Sequence, residues 1–275
     1  MQLNDTQQYT VFGYSPKASS PSNKCFSARG NDAIVVLVDT LPTEQECLDY
    51  AQYFADMTSV FVAPKAIKPE ASVTGNETHF DIAWYNQTHR IQRCGHGTLA
   101  AAKFVQQRIN HQKALRFHSA QESLRVTMND NLYSLKFNPQ VFINSSQIID
   151  LQSITRTFVT KDKQGYCMID VGNEANVKKF SLTEDIISQI GQRALIVTSL
   201  ADNPHYDIIF RYFAPQYGMF EDQATGSAGG CLWPLWQKNS NNKPLRCYQA
   251  SAQGGFFQLT ASGEHVAVSG YITEK

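Results

Sequence analysis

The amino-acid sequence predicts an α+β fold with two pseudo-symmetric domains, each a β-barrel-like sheet wrapped around a central helix. Three observations lead to this prediction. Short apolar, β-branched runs alternate with helical segments in the same order in both halves of the 275 residues. Each half contains a run of small residues that opens a helix, at residues 94–102 and 225–232. The first of these helices is apolar nearly all round, so a strongly curved sheet must surround it.

The first half begins with a buried strand at residues 33–38, a run of Ala, Ile, Val and Leu. Thr43 and Glu46 then form a capping box, which predicts that a helix starts there. One face of that helix is apolar, formed by Cys47, Leu48, Ala51, Phe54 and Ala55. Further strands are predicted at residues 59–62, which Pro64 ends, and at 80–85, 115–118, 124–128 and 132–137.

The segment from Thr98 to Arg108 lacks Pro and Gly and is rich in Ala, Leu, Phe and Val. Its apolar residues are not confined to one face, so we expect a buried helix rather than a surface one.

The second half repeats this order. A helix is predicted at residues 181–192, with Ser181 and Thr183 as candidate caps, and another follows the second small-residue run to about Gln237. Trp233 and Trp236 lie at helical spacing and are expected in the core. Strands are predicted at residues 158–160, 167–171, 194–198, 207–213, 259–260 and 266–268, with hairpin signals at 254–255 and 262–263. Residues 138–153 form the most polar joint and favour a domain boundary there.

Composition limits the function classes. Lys plus Arg and Asp plus Glu both total 24 and no basic run occurs, so we expect no nucleic-acid partner. The N-terminus lacks the pattern of a signal peptide, and no apolar run approaches the roughly 18 residues that span a membrane. Six scattered cysteines without a Cys-x-x-Cys pair favour free thiols. We therefore expect a soluble, cytoplasmic protein without a membrane partner.

The first candidate site is Cys94, Gly95, His96 and Gly97. Glycines on both sides of a histidine allow a ligand to approach the backbone, and amides at a helix start bind anions. Cys94 at such a position is a candidate proton shuttle with a lowered pKa. The alternative is a glycine-rich helix start with a buried cysteine.

The second candidate site lies in residues 221–228. Asp222 is a candidate acid or base, and Thr225, Gly226 and Ser227 are candidates to hold a carboxylate through amides and hydroxyls. The alternative is ordinary N-capping, since Asp, Thr and Ser all cap helices well. Two such helix starts, each preceded by a strand, favour a shared cleft for a small carboxylic acid. The lone histidines, expected to be surface or hydrogen-bonded residues, are His79, His89, His111, His118, His205 and His265.

These motifs resemble the phenazine-biosynthesis isomerase (PhzF-like) family, within the diaminopimelate epimerase and proline racemase superfamily. The resemblance is carried by residues 94–102, by residues 211–215 with Gly218, and by Glu221, Asp222 and residues 224–228. Residues 30–31 and 254–255 also fit, so the resemblance covers essentially the whole chain.

The resemblance implies a diaminopimelate epimerase-like fold with an active site between two domains, no metal and no organic cofactor. It assigns residues 1–125 with about 266–275 to an N-terminal barrel and 126–265 to a C-terminal barrel. His96, Asp222 and Ser227 match family site positions. The implied chemistry is proton transfer at carbon in a small carboxylic acid, and a homodimer is also implied.

One departure from the family is prominent. Thr58 stands where the family's catalytic Glu is expected, three residues before Phe61, and a Thr hydroxyl is no general base near neutral pH. Asp56, two residues earlier, is a candidate substitute if it lies on the same strand face. Thr225 also replaces the second thiol of the two-cysteine racemases, which disfavours two-thiol racemisation. The alternative function is therefore a catalytically impaired family member that binds small anions or acts as a scaffold.

Overall fold

A computed structural model of the chain describes residues 5–15, 26–54, 56–66, 77–109, 114–129, 131–144, 155–241 and 243–275. Contacts divide the chain into two compact units. The first is Met1–Gly13, Asn31–Lys136 and Ser269–Lys275, and the second is Tyr14–Gly30 and Phe137–Val268. Residues 14–30 thus belong to the second unit, although the resemblance assigns them to the N-terminal barrel. Among the sequence-based expectations, Cys25, Ala55, His111 and residues 145–153 lie outside the described residues.

The first unit is a closed barrel. Its strands follow one another in the order β1-β2-β3-β4-β6-β7-β8-β16, and β16 pairs back to β1. β2 runs parallel to β3 and β4 runs parallel to β6, while the other registered pairs in the barrel are antiparallel. The strands are β1 (Asp5–Val11), β2 (Asn31–Leu37), β3 (Thr58–Pro64), β4 (Glu77–Tyr85), β5 (Arg90–Ile91), β6 (Ala114–His118), β7 (Ser123–Asn129), β8 (Leu132–Phe137) and β16 (His265–Glu274).

Two helices belong to this barrel. The predicted capping box starts α1 (Glu44–Ala51), with the Thr43 side chain accepting from the Glu46 amide and the Glu46 carboxylate accepting from the Thr43 amide. The helix ends at Ala51, so Phe54 lies beyond it. Helix α2 (Gly95–Ile109) packs against β1, β2, β3 and β7, and the apolar side chains between Leu99 and Val105 are buried. The prediction of a buried helix surrounded by strands is therefore confirmed.

The second unit is built on a sheet with the strand order β16-β15-β14-β13-β12-β11-β10-β9. β11 runs parallel to β12, and β13 runs parallel to β14. Besides the first part of β16, its strands are β9 (Phe142–Asn144), β10 (Arg156–Thr160), β11 (Tyr166–Asp170), β12 (Ala194–Leu200), β13 (Ile208–Phe213), β14 (Leu245–Gln249) and β15 (Gly255–Ser262).

Helices cover both faces of this second sheet. Leu195 and Val197 of β12 share a core with α3 (Glu174–Lys179) and α4 (Glu184–Ile190). Thr198, on the opposite face, accepts a hydrogen bond of 3.2 Å from the Trp236 indole of α5 (Gly229–Trp236). Trp233 and Trp236 are both buried, as expected.

The helix predicted at residues 181–192 is present as α4, and Thr183 is the one of its two candidate caps that starts it. Helix α3, capped by Asn173, was not predicted. Strands β1, β5, β9 and β14 were not predicted either. The α+β class is confirmed. Among the described residues, the helices are all too short or too polar to cross a membrane.

Candidate active site

The first helix start places Cys94 immediately before α2. The Cys94 carbonyl accepts from the Thr98 amide at 3.1 Å and from the Thr98 hydroxyl at 2.7 Å, which closes the first turn. Gly97 has no space for a side chain. A Cβ atom there would lie 2.9 Å from Trp84 Cδ1 and 3.0 Å from both Cys94 Sγ and Val60 Cγ2. The glycine therefore lets the first turn of α2 pack against β3 and β4.

Three polar side chains meet at this turn. His96 Nε2 lies 3.1 Å from Thr58 Oγ1, although the two residues are far apart in the sequence. Cys94 Sγ lies 3.6 Å from His96 Nδ1 and 3.9 Å from Nε2, so the sulfur is beside the imidazole rather than in line with either nitrogen. Thr58 and Cys94 are 8% and 5% exposed, while His96 is half-buried. His96 is thus the member of the cluster that solvent reaches best.

Thr58 reaches His96 because β3 begins at Thr58. Successive strand residues point to opposite faces, so Thr58 and Val60 lie on the face that contacts α2, whereas Phe61 packs with α1. Asp56 precedes the strand in a turn and is exposed. The strand alternation that made Asp56 a candidate substitute for the Glu that the resemblance leads us to expect therefore does not apply.

One backbone amide of this turn already donates a hydrogen bond within the turn. The Gly97 amide donates to Cys94 Sγ at 3.4 Å. An N–H directed at sulfur favours a thiolate over a thiol. The carboxylate-binding role expected for Gly95 and Gly97 stays a prediction, as does the lowered pKa of Cys94.

The second helix start holds Asp222 in a tight turn. Asp222 Oδ1 accepts from the Gln223 amide at 2.7 Å, and Oδ2 accepts from the Thr225 hydroxyl. The Asp222 amide donates to the Tyr212 carbonyl of β13 at 3.0 Å. Both oxygens of this half-buried carboxylate are therefore oriented by neighbouring donors.

Sequence reasoning missed Gln249, which lies at the end of β14 and is fully buried. Its Oε1 accepts from the Thr225 amide at 2.7 Å, and its Nε2 donates to the Asp222 carbonyl at 2.6 Å and to Thr225 Oγ1 at 3.2 Å. No local motif marks a glutamine at a strand end, so only the fold reveals it.

Thr225 consequently uses both of its donors inside the turn, the amide toward Gln249 and the hydroxyl toward Asp222. A single 3₁₀ turn at Gly226–Ala228 follows and then continues into α5. The first amides of a helical segment have no partner within it, so Gly226 and Ser227 retain the geometry expected of anion donors. Their role stays a prediction.

Arg211 stabilises the strand before this turn. Its guanidinium forms a bidentate pair with Glu221, at 2.7 and 2.9 Å, and donates to the Phe180 carbonyl at 2.6 Å.

Burial, with added repulsion from Tyr166, Cys231 and Asp222, raises the pKa of Tyr212 well above its ordinary value. Tyr212 is therefore a neutral phenol beside the turn.

The described thiols are buried, and two of the other histidines contact each other. All five described cysteines are free and buried, and burial raises the pKa of Cys167 to about 12 and those of Cys231 and Cys247 well above the ordinary value. His79 Nδ1 and His118 Nε2 are 2.9 Å apart. Within the described ranges, His, Cys, Asp and Glu side chains form no group of three or more suited to a metal ion.

Comparisons with known proteins agree with this architecture. The family model for phenazine biosynthesis-like proteins (PhzC-PhzF) matches residues 26–271. A curated relative, an uncharacterized isomerase of Halalkalibacterium halodurans, is 26% identical over 255 residues, which cover 90% of this chain and 91% of the relative.

Two solved structures show the same fold. A PhzF-family phenazine biosynthesis protein from Enterococcus faecalis gives a TM-score of 0.74 at 22% identity, over 98% of this chain and 97% of that chain. A hydroxyproline epimerase from Agrobacterium vitis with bound trans-4-hydroxy-L-proline gives 0.55 at 9% identity, over 100% and 92%. Since the family model spans most of the sequence, this chain belongs to the phenazine biosynthesis-like (PhzF) family.

Proposed function

We propose that this protein is a cofactor-independent isomerase or epimerase that transfers a proton at a carbon atom of a small carboxylic acid. The observation that carries the proposal is the cluster of His96, Thr58 and Cys94 at the start of the buried helix α2. Family membership and the isomerase name of the curated relative support the reaction class.

In this proposal His96 exchanges the proton. Imidazole titrates nearest to neutral pH, and the half-buried ring combines access to a ligand with a fixed hydrogen bond to Thr58. Thr58 occupies the position of the family's Glu but serves a different purpose. Its hydroxyl orients the imidazole through Nε2 and does not itself remove a proton.

Cys94 is a second acid–base group of this cluster. Its sulfur accepts a hydrogen bond from the Gly97 amide and lies next to the His96 imidazole. A proton can therefore pass between the sulfur and the imidazole after a small rotation. Asp222, held by the Gln223 amide and the Thr225 hydroxyl, is proposed as an acid–base group at the second helix start. A proton leaves one position of the substrate carbon skeleton and returns to another position or face, so the reaction needs no oxidant.

The proposed donors to a substrate carboxylate are the amides of Gly95 and Gly97 at the first helix start and the amides of Gly226 and Ser227, with the Ser227 hydroxyl, at the second. The positive end of the fifteen-residue α2 favours an anion there. Loss of one donor that stabilises charge in the transition state costs about 3 kcal/mol. Thr225 serves this carboxylate indirectly, because its donors are directed to Gln249 and Asp222. A homodimer in the cytoplasm remains part of the proposal.

The test uses small amino and hydroxy acids in heavy water, with deuterium at carbon measured by mass spectrometry. We expect the wild-type protein to incorporate deuterium into at least one acid of the panel. The variant His96→Asn should abolish this incorporation, whereas His89→Asn, at an exposed histidine, should not. Incorporation that survives in His96→Asn would remove that residue from the mechanism.

One observation favours a second candidate, a small-anion-binding protein without catalysis. A hydroxyl rather than a carboxylate contacts His96 at the position of the family's Glu. Calorimetric binding of panel acids without deuterium incorporation would support this candidate. Gain of incorporation in Thr58→Glu would then show that only the base is missing.

A further inference from the structure

Gln249, the last residue of β14, links that strand to the second helix start. The side chain is 0% exposed and forms three hydrogen bonds to a single turn, at 2.6 to 3.2 Å. Both hydrogens of its amide nitrogen are donated, one to the Asp222 carbonyl and one to Thr225 Oγ1. A fully buried glutamine whose donors all engage one turn fixes the conformation of that turn.

The bonding pattern also fixes the direction of each hydrogen bond. The Thr225 amide can only donate and the Asp222 carbonyl can only accept, so the two ends of the Gln249 amide cannot exchange places. Because Nε2 donates to Thr225 Oγ1, the single hydroxyl hydrogen of Thr225 must point elsewhere. The carboxylate oxygen Oδ2 of Asp222 is the acceptor that it meets.

We infer that Gln249 is a positioning residue for Asp222, acting through the Thr225 hydroxyl. The inference rests on the proposed function, in which Asp222 takes part in proton transfer. Gln249 does not touch the substrate in this account. It directs the Thr225 hydrogen to Asp222, and with the Gln223 amide this holds the plane of the carboxylate.

Neighbouring residues support the same turn. Ser251 Oγ donates to the Gln223 carbonyl at 2.6 Å. At Gly255 a Cβ atom would lie 2.6 Å from the Ala224 Cβ, so only glycine lets β15 pass this close to the turn. The segment from Gln249 to Gly255 therefore forms one support for Asp222.

Three variants separate positioning from simple loss of packing. Gln249→Glu keeps the shape and still accepts from the Thr225 amide, but in its ionised form it cannot donate, so the Thr225 hydroxyl turns from Asp222 to the new carboxylate. Gln249→Met removes all three hydrogen bonds. Gln253→Glu adds the same charge at an exposed position of the same loop and serves as the control.

We expect the deuterium incorporation rate at saturating substrate to fall about tenfold or more in both Gln249 variants, because small misplacements of a catalytic group are costly. The concentration at half-saturation should change less than about threefold, since binding and positioning are separate effects. Thr225→Val should reproduce the loss, Thr225→Ser, which restores the hydroxyl, should be faster than Thr225→Val, and Gln249→Met combined with Thr225→Val should be no worse than either alone. Equal losses in Gln253→Glu, or additive losses in the double variant, would overturn the inference.

A second readout does not depend on turnover. Crystal structures of Gln249→Glu and of the wild type should differ in the Asp222 carboxylate, which loses the Thr225 hydroxyl in the variant. Amide hydrogen exchange at Thr225 should be faster in Gln249→Met than in Gln253→Glu. If wild-type protein shows no deuterium incorporation, the proposed function fails while these measurements still decide the positioning role. An unchanged Asp222 carboxylate in both Gln249 variants would contradict it.

Discussion

The two glycine-rich helix starts share a residue pattern, yet their polar side chains contact different parts of the fold. In the first unit, His96 points away from its own helix to Thr58 on β3. In the second unit, Asp222 and Thr225 contact each other, and Gln249 on β14 holds both. The first start exposes an imidazole beside a thiol, whereas the second presents a carboxylate that neutral donors orient.

The helices that follow differ as well. Helix α2 spans fifteen residues and begins directly after Cys94, while a 3₁₀ turn precedes the eight-residue α5, which contains Pro234. An aligned dipole is strongest where a long helix begins without interruption. The comparison teaches that one sequence pattern places an imidazole and a thiol at the start of a long helix in one unit, and a carboxylate held by hydrogen bonds in the other.

The largest expected effect comes from removing the titratable side chain at each helix start, His96 at the first and Asp222 at the second. Proton transfer by a positioned side chain contributes about 10²–10⁴-fold, so His96→Asn and Asp222→Asn should each slow deuterium incorporation by about that factor. The rates are measured by mass spectrometry under saturating substrate. Asp185→Asn, at an exposed carboxylate in the second unit, is the control for Asp222. A loss in only one of the two variants would remove the other residue from the proposed proton transfer.

The next effect concerns packing at the two starts. Alanine at Gly97 would crowd Trp84, Cys94 and Val60, and alanine at Gly229 would place a Cβ 2.5 Å from Val268 Cγ2 and 2.7 Å from Leu259 Cδ2. Each variant should lower the free energy of unfolding by about 1–3 kcal/mol, because these neighbours are buried and cannot easily move.

Urea unfolding measures both losses. Gly263→Ala is the matched control, since its φ of 63° adds strain but no atom lies within 4 Å of the new methyl group. If Gly97→Ala retains wild-type stability, then the tight packing of the α2 start is not required.

How far the sequence predicts this molecule depends on the range of each interaction. The Thr43–Glu46 capping box and the buried character of α2 are local, and both were predicted. Helix α3 was missed because six residues carry little periodicity, and the sequence could not decide between Ser181 and Thr183 as the cap of α4. The His79–His118 contact and the role of Gln249 arise only from strand pairing and loop packing.

Paired carboxylates make the stability of both units sensitive to acid. Burial opposes ionisation of Glu77, but hydrogen bonds from Arg116 at 2.6 Å and Arg125 at 2.5 Å outweigh it and hold its pKa below the ordinary 4.5. In the second unit, Arg246 overcomes burial in the same way and lowers the pKa of Asp207 from 3.8.

Since both folded pKa values lie below the unfolded ones, each carboxylate stabilises the fold above its unfolded pKa. That contribution is lost as the pH falls through the folded value. Urea unfolding between pH 7 and pH 3 should show a steeper acid loss in wild type than in Glu77→Gln. Parallel curves for the two proteins would contradict the stabilising role of Glu77.

The smallest expected effect compares helix caps in the two units. Thr43→Ala should lower stability by about 1 kcal/mol because the Glu46 amide loses its acceptor, the Thr43 hydroxyl, and Thr183→Ala should lower it by a similar or smaller amount. Thermal unfolding measures both. Ser181→Ala, at an exposed residue that does not cap α4, should match wild type, and a loss there would reassign the cap.

The most direct measurement is the mass of a small carboxylic acid recovered after incubation with the protein in heavy water. The account predicts one carbon-bound deuterium per molecule with the wild-type protein, and none with His96→Asn or Asp222→Asn. Acids that bind but return without deuterium from the wild-type protein would contradict proton transfer as its activity.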